Sequence, residues 1–373
     1  MNADDDLRRD DFLRNRVPPQ PAQPAQPAQP AQAAQPPQAG QPAPSPQPWV
    51  GPPQPAPPAA YLPPPPAARP QPTRGWRRAV LSATLGLINL GPSAAEREET
   101  AYQFAIRGMP NGAYKVGVLG KGGVGKTTVA ASVGSVFAAL RRADHVVALD
   151  ADTAFGRLGS RIDPRATSSY WDLATEPGIQ SFADITSRVG ANAAGLYVLV
   201  GEPAAGRRRT LDAALYREAV LRLDRHFTIS IIDCGSTMDS PVTQEALRDL
   251  DALIVVSSPW ADGAGAAAKT MEWLADRGQG GLLQRTVVVL NDSDGHADKR
   301  TRAALTAQFL QHGQAVVEVP FDPHLRPGGV IDVMQEMAPA TRLRFLQIAA
   351  IISRYFAARP PGREHRPGRP QSM

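Results

Sequence analysis

The chain has 373 residues, a net charge of +5 and 38 prolines, of which 23 fall between residues 17 and 72. What remains is long enough for one α/β domain with a sizeable core, and a mildly basic balance permits nucleic acid or anionic lipid as partner without selecting either. The single cysteine, Cys234, excludes an internal disulfide and fits a reducing cytoplasm; no apolar run reaches the roughly 18 residues of a spanning helix, and the opening MNADDDLRRDD is not a secretory signal.

Residues 1–16 mix Asp and Arg, with Phe12 and Leu13 as the main apolar handles, and read as a disordered tip. Residues 17–72 are low-complexity: a P-A-Q repeat, a proline run at 63–66, and one charged side chain, Arg69. Proline removes N–H donors and fixes φ, so this arm cannot build a core; polyproline II segments and coil are expected. It reads equally as a stiff spacer or as a docking arm for an aromatic-lined groove, with Trp49 and Tyr61 as its aromatic anchors.

Residues 73–112 form a pre-domain segment. Arg74, Trp76, Arg77 and Arg78 precede an apolar stretch, 79–90, which together have membrane-surface composition. Gly86 and Gly91 interrupt any long helix there, which favours packing on the following domain. Ser93 and Glu96 have capping-box spacing and predict one helix running towards Arg107.

Residues 116–128 read VGVLGKGGVGKTT. An apolar strand enters the glycine-rich loop Gly120, Lys121, Gly122, Gly123, Val124, Gly125, followed by Lys126, Thr127, Thr128 and a helix-forming run. This is the P-loop pattern in its strand–loop–helix setting. The glycines let backbone N–H groups wrap a phosphate, and the helix N-terminus adds free donors and partial positive charge. Lys126 is expected to reach the β- and γ-phosphates, and the Thr127 hydroxyl to bind Mg²⁺.

From residue 115 onward strand and helix patterns alternate. Strands are predicted at 115–119, 145–149, 197–200, 228–233, 252–257, 286–290 and 315–319, and helices at 126–141, 211–224, 263–276, 301–312 and 340–357. The fold class that follows is α/β: a P-loop NTPase with a mostly parallel twisted sheet covered by helices on both faces, spanning 113–358, with a disordered basic tail at 359–373. Its ligand belongs outside the carboxyl ends of the strands.

Four further places sit there. Asp150 and Asp152 follow the second strand; one can orient a Mg²⁺ shell and the other an attacking water. Asp233 ends an apolar run in the Walker B arrangement, with Gly235 giving the next loop freedom. Asn291 ends a strand where its amide could read an adenine edge, and Pro320 and Phe321 leave the last strand where they could wall the base. Lys121 is a second lysine in a loop that needs only one. Such a cation can bridge phosphate charge across a dimer interface, or simply be solvated.

GKGGVGKTT with Lys121 in this place resembles the deviant Walker A motif of the MinD/ParA (SIMIBI-class) ATPases. Asp150-Ala151-Asp152, Asp233-Cys234-Gly235 and Asn291 resemble their second motif, Walker B switch loop and adenine-contacting residue. The resemblance implies an ATP- and Mg²⁺-dependent homodimer with nucleotide sandwiched at the interface, metal at Thr127, Asp150 and Asp233, Lys121 on the partner's ATP, and Asp152 orienting the hydrolytic water. From about residue 75 the chain, with its RGWRRAV and GLINLGPSAAERE stretches and its proline-rich leader, is similar to the actinobacterial MinD-like proteins associated with type VII (ESX) secretion, the EspI-like group. Three departures stand out: Thr153 after Asp152, Gly235-Ser236 after Walker B, and no strongly cationic amphipathic helix at the end of the chain.

The implied protein is a cytoplasmic, slowly ATP-hydrolysing dimerisation switch that regulates or positions a secretion assembly, taking a protein partner through its arm; peripheral contact with the cytoplasmic face of the plasma membrane stays open. Two alternatives are a ParA-like partition ATPase binding DNA nonspecifically through Arg207, Arg208, Arg209 and the tail, and a scaffold in which nucleotide is structural. A solvated loop is the preferred reading of that arginine run, so nucleic acid is not favoured.

Overall fold

The structure, a computed structural model, describes residues 70–152, 156–179, 181–201 and 211–358. The expectations for the proline-rich arm, for Arg207 to Arg209 and for the tail lie outside these residues.

Eight strands form one sheet: β1 (Tyr114–Gly120), β2 (Val146–Ala151), β3 (Gly190–Ala191), β4 (Leu196–Leu199), β5 (Ile229–Cys234), β6 (Ala252–Ser257), β7 (Thr286–Asn291) and β8 (Ala315–Val319), in the order β3-β4-β2-β5-β1-β6-β7-β8. Every pairing is parallel except β3 with β4, a two-residue antiparallel edge too short to leave a sequence signal. The central strands are buried along their whole length because both faces are covered. Successive residues alternate between two cores: Val116, Val118, Ala148, Ile231 and Ile254 face one, and Val147, Leu149, Ile232, Leu253 and Val255 the other.

The described residues contain twelve helices, most of which cover the sheet. Two precede it, α1 (Gly75–Ala83) and α2 (Ala94–Arg107), where the sequence predicted one. Between β1 and β4 lie α3 (Lys126–Leu140), α4 (Leu158–Ile162), α5 (Tyr170–Thr175) and α6 (Phe182–Thr186). Then come α7 (Ala213–Leu223), α8 (Pro241–Leu247), α9 (Ala261–Asp276), α10 (Gly280–Leu283), α11 (Lys299–Gln311) and α12 (Pro339–Ala357). The short helices escape periodicity because one or two turns carry no repeat. Among the described residues no helix is long and apolar enough to cross a membrane.

The pre-domain segment behaves in two ways. Its capping box forms: Ser93 Oγ accepts from the Glu96 N–H and Glu96 accepts from the Ser93 N–H. Glu96 also accepts from the Thr73 and Arg74 N–H groups, and these bonds hold its carboxyl down at about 2. α2 packs on α12, and Ile106 is fully buried. α1, by contrast, buries none of its residues, so the expectation that the whole segment packs on the domain is corrected for α1 and the turn that follows it. Trp76 of α1 lines a cavity with Ala95, Pro339 and Leu343, whereas the side chains of Leu85 and Leu87 in the turn stand in solvent among the described residues.

α12 lies along the core as its spacing predicts, and Phe356 stacks on Tyr114 of β1 with ring centroids 4.1 Å apart. At the opposite edge of the molecule from the loop, Lys115 is buried in β1 and its charge is met by Asp224 at 2.8 Å and Asp249 at 3.8 Å. Phe356→Ala removes the stacked ring from a fully packed site and should lower unfolding stability by about 3 kcal/mol or more, read from chemical denaturation with the slope unchanged.

Candidate functional site: the loop after β1 and the acid pair beside it

The order of strands puts β1 between β5 and β6, so the chain leaves β1 in one direction for β2 and returns on the other side for β6. The carboxyl edge at that reversal gathers Gly120, Asp150, Asp233 and Asn291, the last residues or near-last residues of β1, β2, β5 and β7.

Two glycines here are steric requirements. Gly120 has φ +154°, and a Cβ on it would lie 2.2 Å from the Val256 carbonyl oxygen of the neighbouring strand. Gly125 has φ +96° and would meet the Asn291 amide nitrogen at 2.4 Å. Val124 between them is buried and pins the loop to the core. Gly122 and Gly123 form the exposed crown.

The two lysines occupy opposite environments. Lys126 is 7% exposed, tucked beneath the loop, and its ammonium donates to the Lys121 carbonyl at 3.4 Å. Lys121 stands on the rim with half its side chain exposed, paired with Asp262 of α9 at 2.7 Å. The pairing holds the Asp262 carboxyl below its usual range.

Beside Lys126 two carboxylates sit on adjacent strands, Asp150 in register with Asp233. Both are almost wholly buried. Burial pushes Asp233 up to about 7, against a hydrogen bond from Thr127 and the Lys126 charge, both of which favour the ionised form. Asp150 is raised well above the carboxylate range by burial and by the Asp233 charge, although it accepts from the Leu158 N–H at 3.0 Å and the Asp152 N–H at 3.3 Å. Asp152 lies against Gly235, whose Cβ would fall 3.2 Å from its carboxylate oxygen.

A cation and a triphosphate suit this arrangement. Asp233 Oδ1 is buried and has no hydrogen-bond partner among the described residues. Next to Thr127 and Asp150 it supplies hard oxygen donors of the kind that bind Mg²⁺. No cluster of three or more His, Cys, Asp or Glu able to hold a metal exists among the described residues. That matches Mg²⁺, which takes one or two protein oxygens and completes its shell with water and phosphate. Bound there, the ion would supply charge compensation to the β- and γ-phosphates.

A cavity of about 340 Å³ opens beside the loop, lined by Thr127, Thr128, Asn291, Pro320 and Phe321 among others. It is of the size that ligand pockets take. Pro320 and Phe321 therefore stand where a base wall is expected. Asn291 lines it as well, and its Nδ2 donates to the Val124 carbonyl at 2.9 Å, a bond that uses only one of the amide's two N–H groups. The loop has its own carbonyl to satisfy, and Asn291 closes it.

Sequence reasoning missed Arg161. It is 6% exposed, and its guanidinium donates to Thr128 Oγ1 at 2.6 Å and to the Leu325 and Gly329 carbonyls at 3.0 and 2.9 Å. It ties the first turn of α3 to the segment that follows Pro320. Its partners lie 33 to 168 residues away, so no local pattern could announce it.

Comparison with known proteins agrees with this geometry. Residues 117–327 match the family model described as the CobQ/CobB/MinD/ParA nucleotide binding domain. The chain is 32% identical over 283 residues to the ESX-1 secretion-associated protein EspI of Mycobacterium tuberculosis; the match covers 75% of this chain but 42% of that protein's length. Among solved structures it is similar to the cell division ATPase MinD of Pyrococcus furiosus (TM-score 0.49, 20% identity, 65% of this chain and 99% of that one). It is also similar to the septum site-determining protein MinD of Pyrococcus horikoshii, solved with Mg-ADP (TM-score 0.48, 19% identity, 64% and 94%). The family match spans more than half of the sequence and contains the loop, the acid pair and Asn291: the chain belongs to the CobQ/CobB/MinD/ParA nucleotide-binding family, a family of nucleotide-binding ATPases.

Proposed function

We propose that this chain is a slowly ATP-hydrolysing switch that dimerises when loaded with ATP and Mg²⁺, and that it regulates or positions a type VII (ESX) secretion system. The observation that carries the reading is the split between its two loop lysines, one buried under the loop beside Thr127 and Asp233, the other on the rim. A single active site has use for the first. The second, half exposed and facing away from the buried acids, suits the nucleotide of a second copy.

In this reading the loop amides from Gly120 to Thr128 cradle the phosphates and Lys126 neutralises β/γ charge. Thr127, Asp150 and Asp233 hold the metal. Asp152, at the edge of the segment 153–155, orients the water, and positioning does most of the work, since phosphoryl transfer needs little covalent help. Asn291, Pro320 and Phe321 form the base side. Closure by a partner excludes water, which strengthens every charge interaction inside.

Support for the secretion role comes from the identity to EspI over three quarters of the chain, a protein of which this one spans 42%. The proline-rich sequence at 17–72 is then the means of engaging a partner with an aromatic-lined groove.

Three results test the proposal. Asp152→Ala should leave ATP bound, slow turnover by about a hundredfold, and accumulate the dimer; wild-type hydrolysis in a phosphate-release assay would overturn the assignment. Lys121→Ala should weaken ATP-dependent dimerisation while sparing nucleotide binding by the monomer. Asp262→Asn should do the reverse, by no more than about fivefold, because it releases Lys121 only from an exposed ion pair. Light scattering with a nonhydrolysable analogue separates these outcomes.

The third concerns pH. Asp233 ionises near 3.8 when unfolded and near about 7 in the folded, nucleotide-free protein. Between those values the folded state holds a proton the unfolded state lacks, so this group's contribution to stability falls as pH rises through that window. The same proton must leave before a cation can bind, so Mg²⁺·ATP affinity should rise from pH 6 to pH 8 by about tenfold. Asp233→Asn should flatten both slopes in thermal melts recorded with and without Mg²⁺·ATP.

A further inference from the structure

The turn between α1 and α2 carries an apolar tip that the described fold leaves uncovered. Leu85, Leu87, Ile88 and Leu90 are all exposed, Leu85 at 93% and Leu87 at 89%, and Trp76 of α1 is exposed as well. Exposed leucines are ordinary when scattered; four large apolar side chains within one short turn are not. α1 adds to this, since none of its residues is buried.

The tip is held in place. Thr84 Oγ1 donates to the Val80 carbonyl at 2.8 Å and accepts from the Ile88 N–H at 3.2 Å. Arg77 donates to the carbonyls of Leu90, Gly91 and Pro92 and so ties the far end of the turn back to α1. Glu96 fixes the near end through the Thr73 and Arg74 N–H groups. Leu85 has φ +52°, the one positive φ outside glycine among the described residues. The backbone thus adopts an unfavourable conformation at a leucine that the described residues leave almost wholly exposed, as expected of a side chain presented for docking.

Charge selects the occupant. From Pro72 to Ala95 the ionisable side chains are Arg74, Arg77 and Arg78, with no carboxylate among them. Arg78 is exposed, and Arg74 has 57% of its side chain in solvent although it pairs with Glu99. A second copy of this tip would set arginine against arginine. An anionic bilayer meets every feature at once: leucines enter the acyl region, Trp76 lies at the boundary with Arg77 over its ring at 5.5 Å, and the arginines face headgroup phosphates.

We propose that residues 76–90 are a membrane-docking tip that inserts Leu85 and Leu87 into the surface of an anionic lipid bilayer, with Arg74 and Arg78 on the headgroups. The site is separate from the nucleotide loop and requires no nucleotide.

The test uses the full chain and sedimentation with phosphatidylcholine vesicles, with and without phosphatidylglycerol. Binding should appear with the anionic vesicles and weaken as salt is raised, because headgroup attraction is screened. Leu85→Asn with Leu87→Ser should weaken it by about tenfold or more, through loss of apolar burial. That variant should keep its melting temperature and its nucleotide affinity, since Asn tolerates the left-handed turn and neither leucine packs on the fold. No binding to anionic vesicles, equal binding to both vesicle types, or unchanged binding by the variant would each overturn the proposal. So would a lipid-free dimer that the variant abolishes in light scattering, which would show that a second copy covers the tip. Loss of nucleotide binding in Lys126→Ala with vesicle binding intact would separate this site from the switch.

Discussion

Two carboxyl groups and one ammonium, all buried at the carboxyl edge of the sheet, form the constraint on which this structure turns. Asp150 and Asp233 are side by side on neighbouring strands, and Lys126 is the cation nearest to them beneath the loop. One ammonium cannot offset two buried carboxylates, and burial pushes the proton affinity of both upward. An apolar pair at those positions would be more stable. The arrangement makes sense as one built to be completed, with a metal displacing the protons and phosphate balancing the metal.

The sheet makes that concentration of charge tolerable. Parallel pairing satisfies every backbone group of the central strands, and both faces are sealed by apolar side chains at alternate positions. Only the strand ends remain open, and polar side chains collect there. The same logic holds at the other end of β1, where Lys115 is buried but has two aspartates to meet it. Among the described residues, two aspartates meet the lysine at one edge, while at the opposite edge one ammonium stands beside two buried carboxyl groups.

What could be read from the sequence follows from how local each cause is. The loop, its lysines and the strand–helix alternation were legible because glycine stereochemistry and period-two and period-3.6 patterns act over a few residues. The capping box at Ser93 and Glu96 is equally local, and it formed. Arg161 and the hydrogen bond from the Asn291 amide to the loop were not legible, because each is defined by a partner far away in the chain: Thr128 for one, the Val124 carbonyl for the other. The α1 tip falls between these cases. Its composition suggested two fates, and its exposure among the described residues, which no local pattern states, motivates the docking proposal.

The two loop lysines show how burial, not residue type, divides labour. Lys126 is held by the curvature of the loop itself, its ammonium against the carbonyl of Lys121, so its position is set before any ligand arrives. Lys121 is held only by Asp262, across an exposed pair that water and salt can exchange cheaply. Preorganised charge favours the phosphate chain of the same molecule, because nothing must move to use it. Loosely held charge on a rim favours a ligand that arrives on another surface, since the ion pair it gives up is worth little and the one it gains is desolvated. In the proposed switch, the step from a nucleotide-binding monomer to a nucleotide-gated pair would rest on which lysine lies under the loop and which lies on top of it.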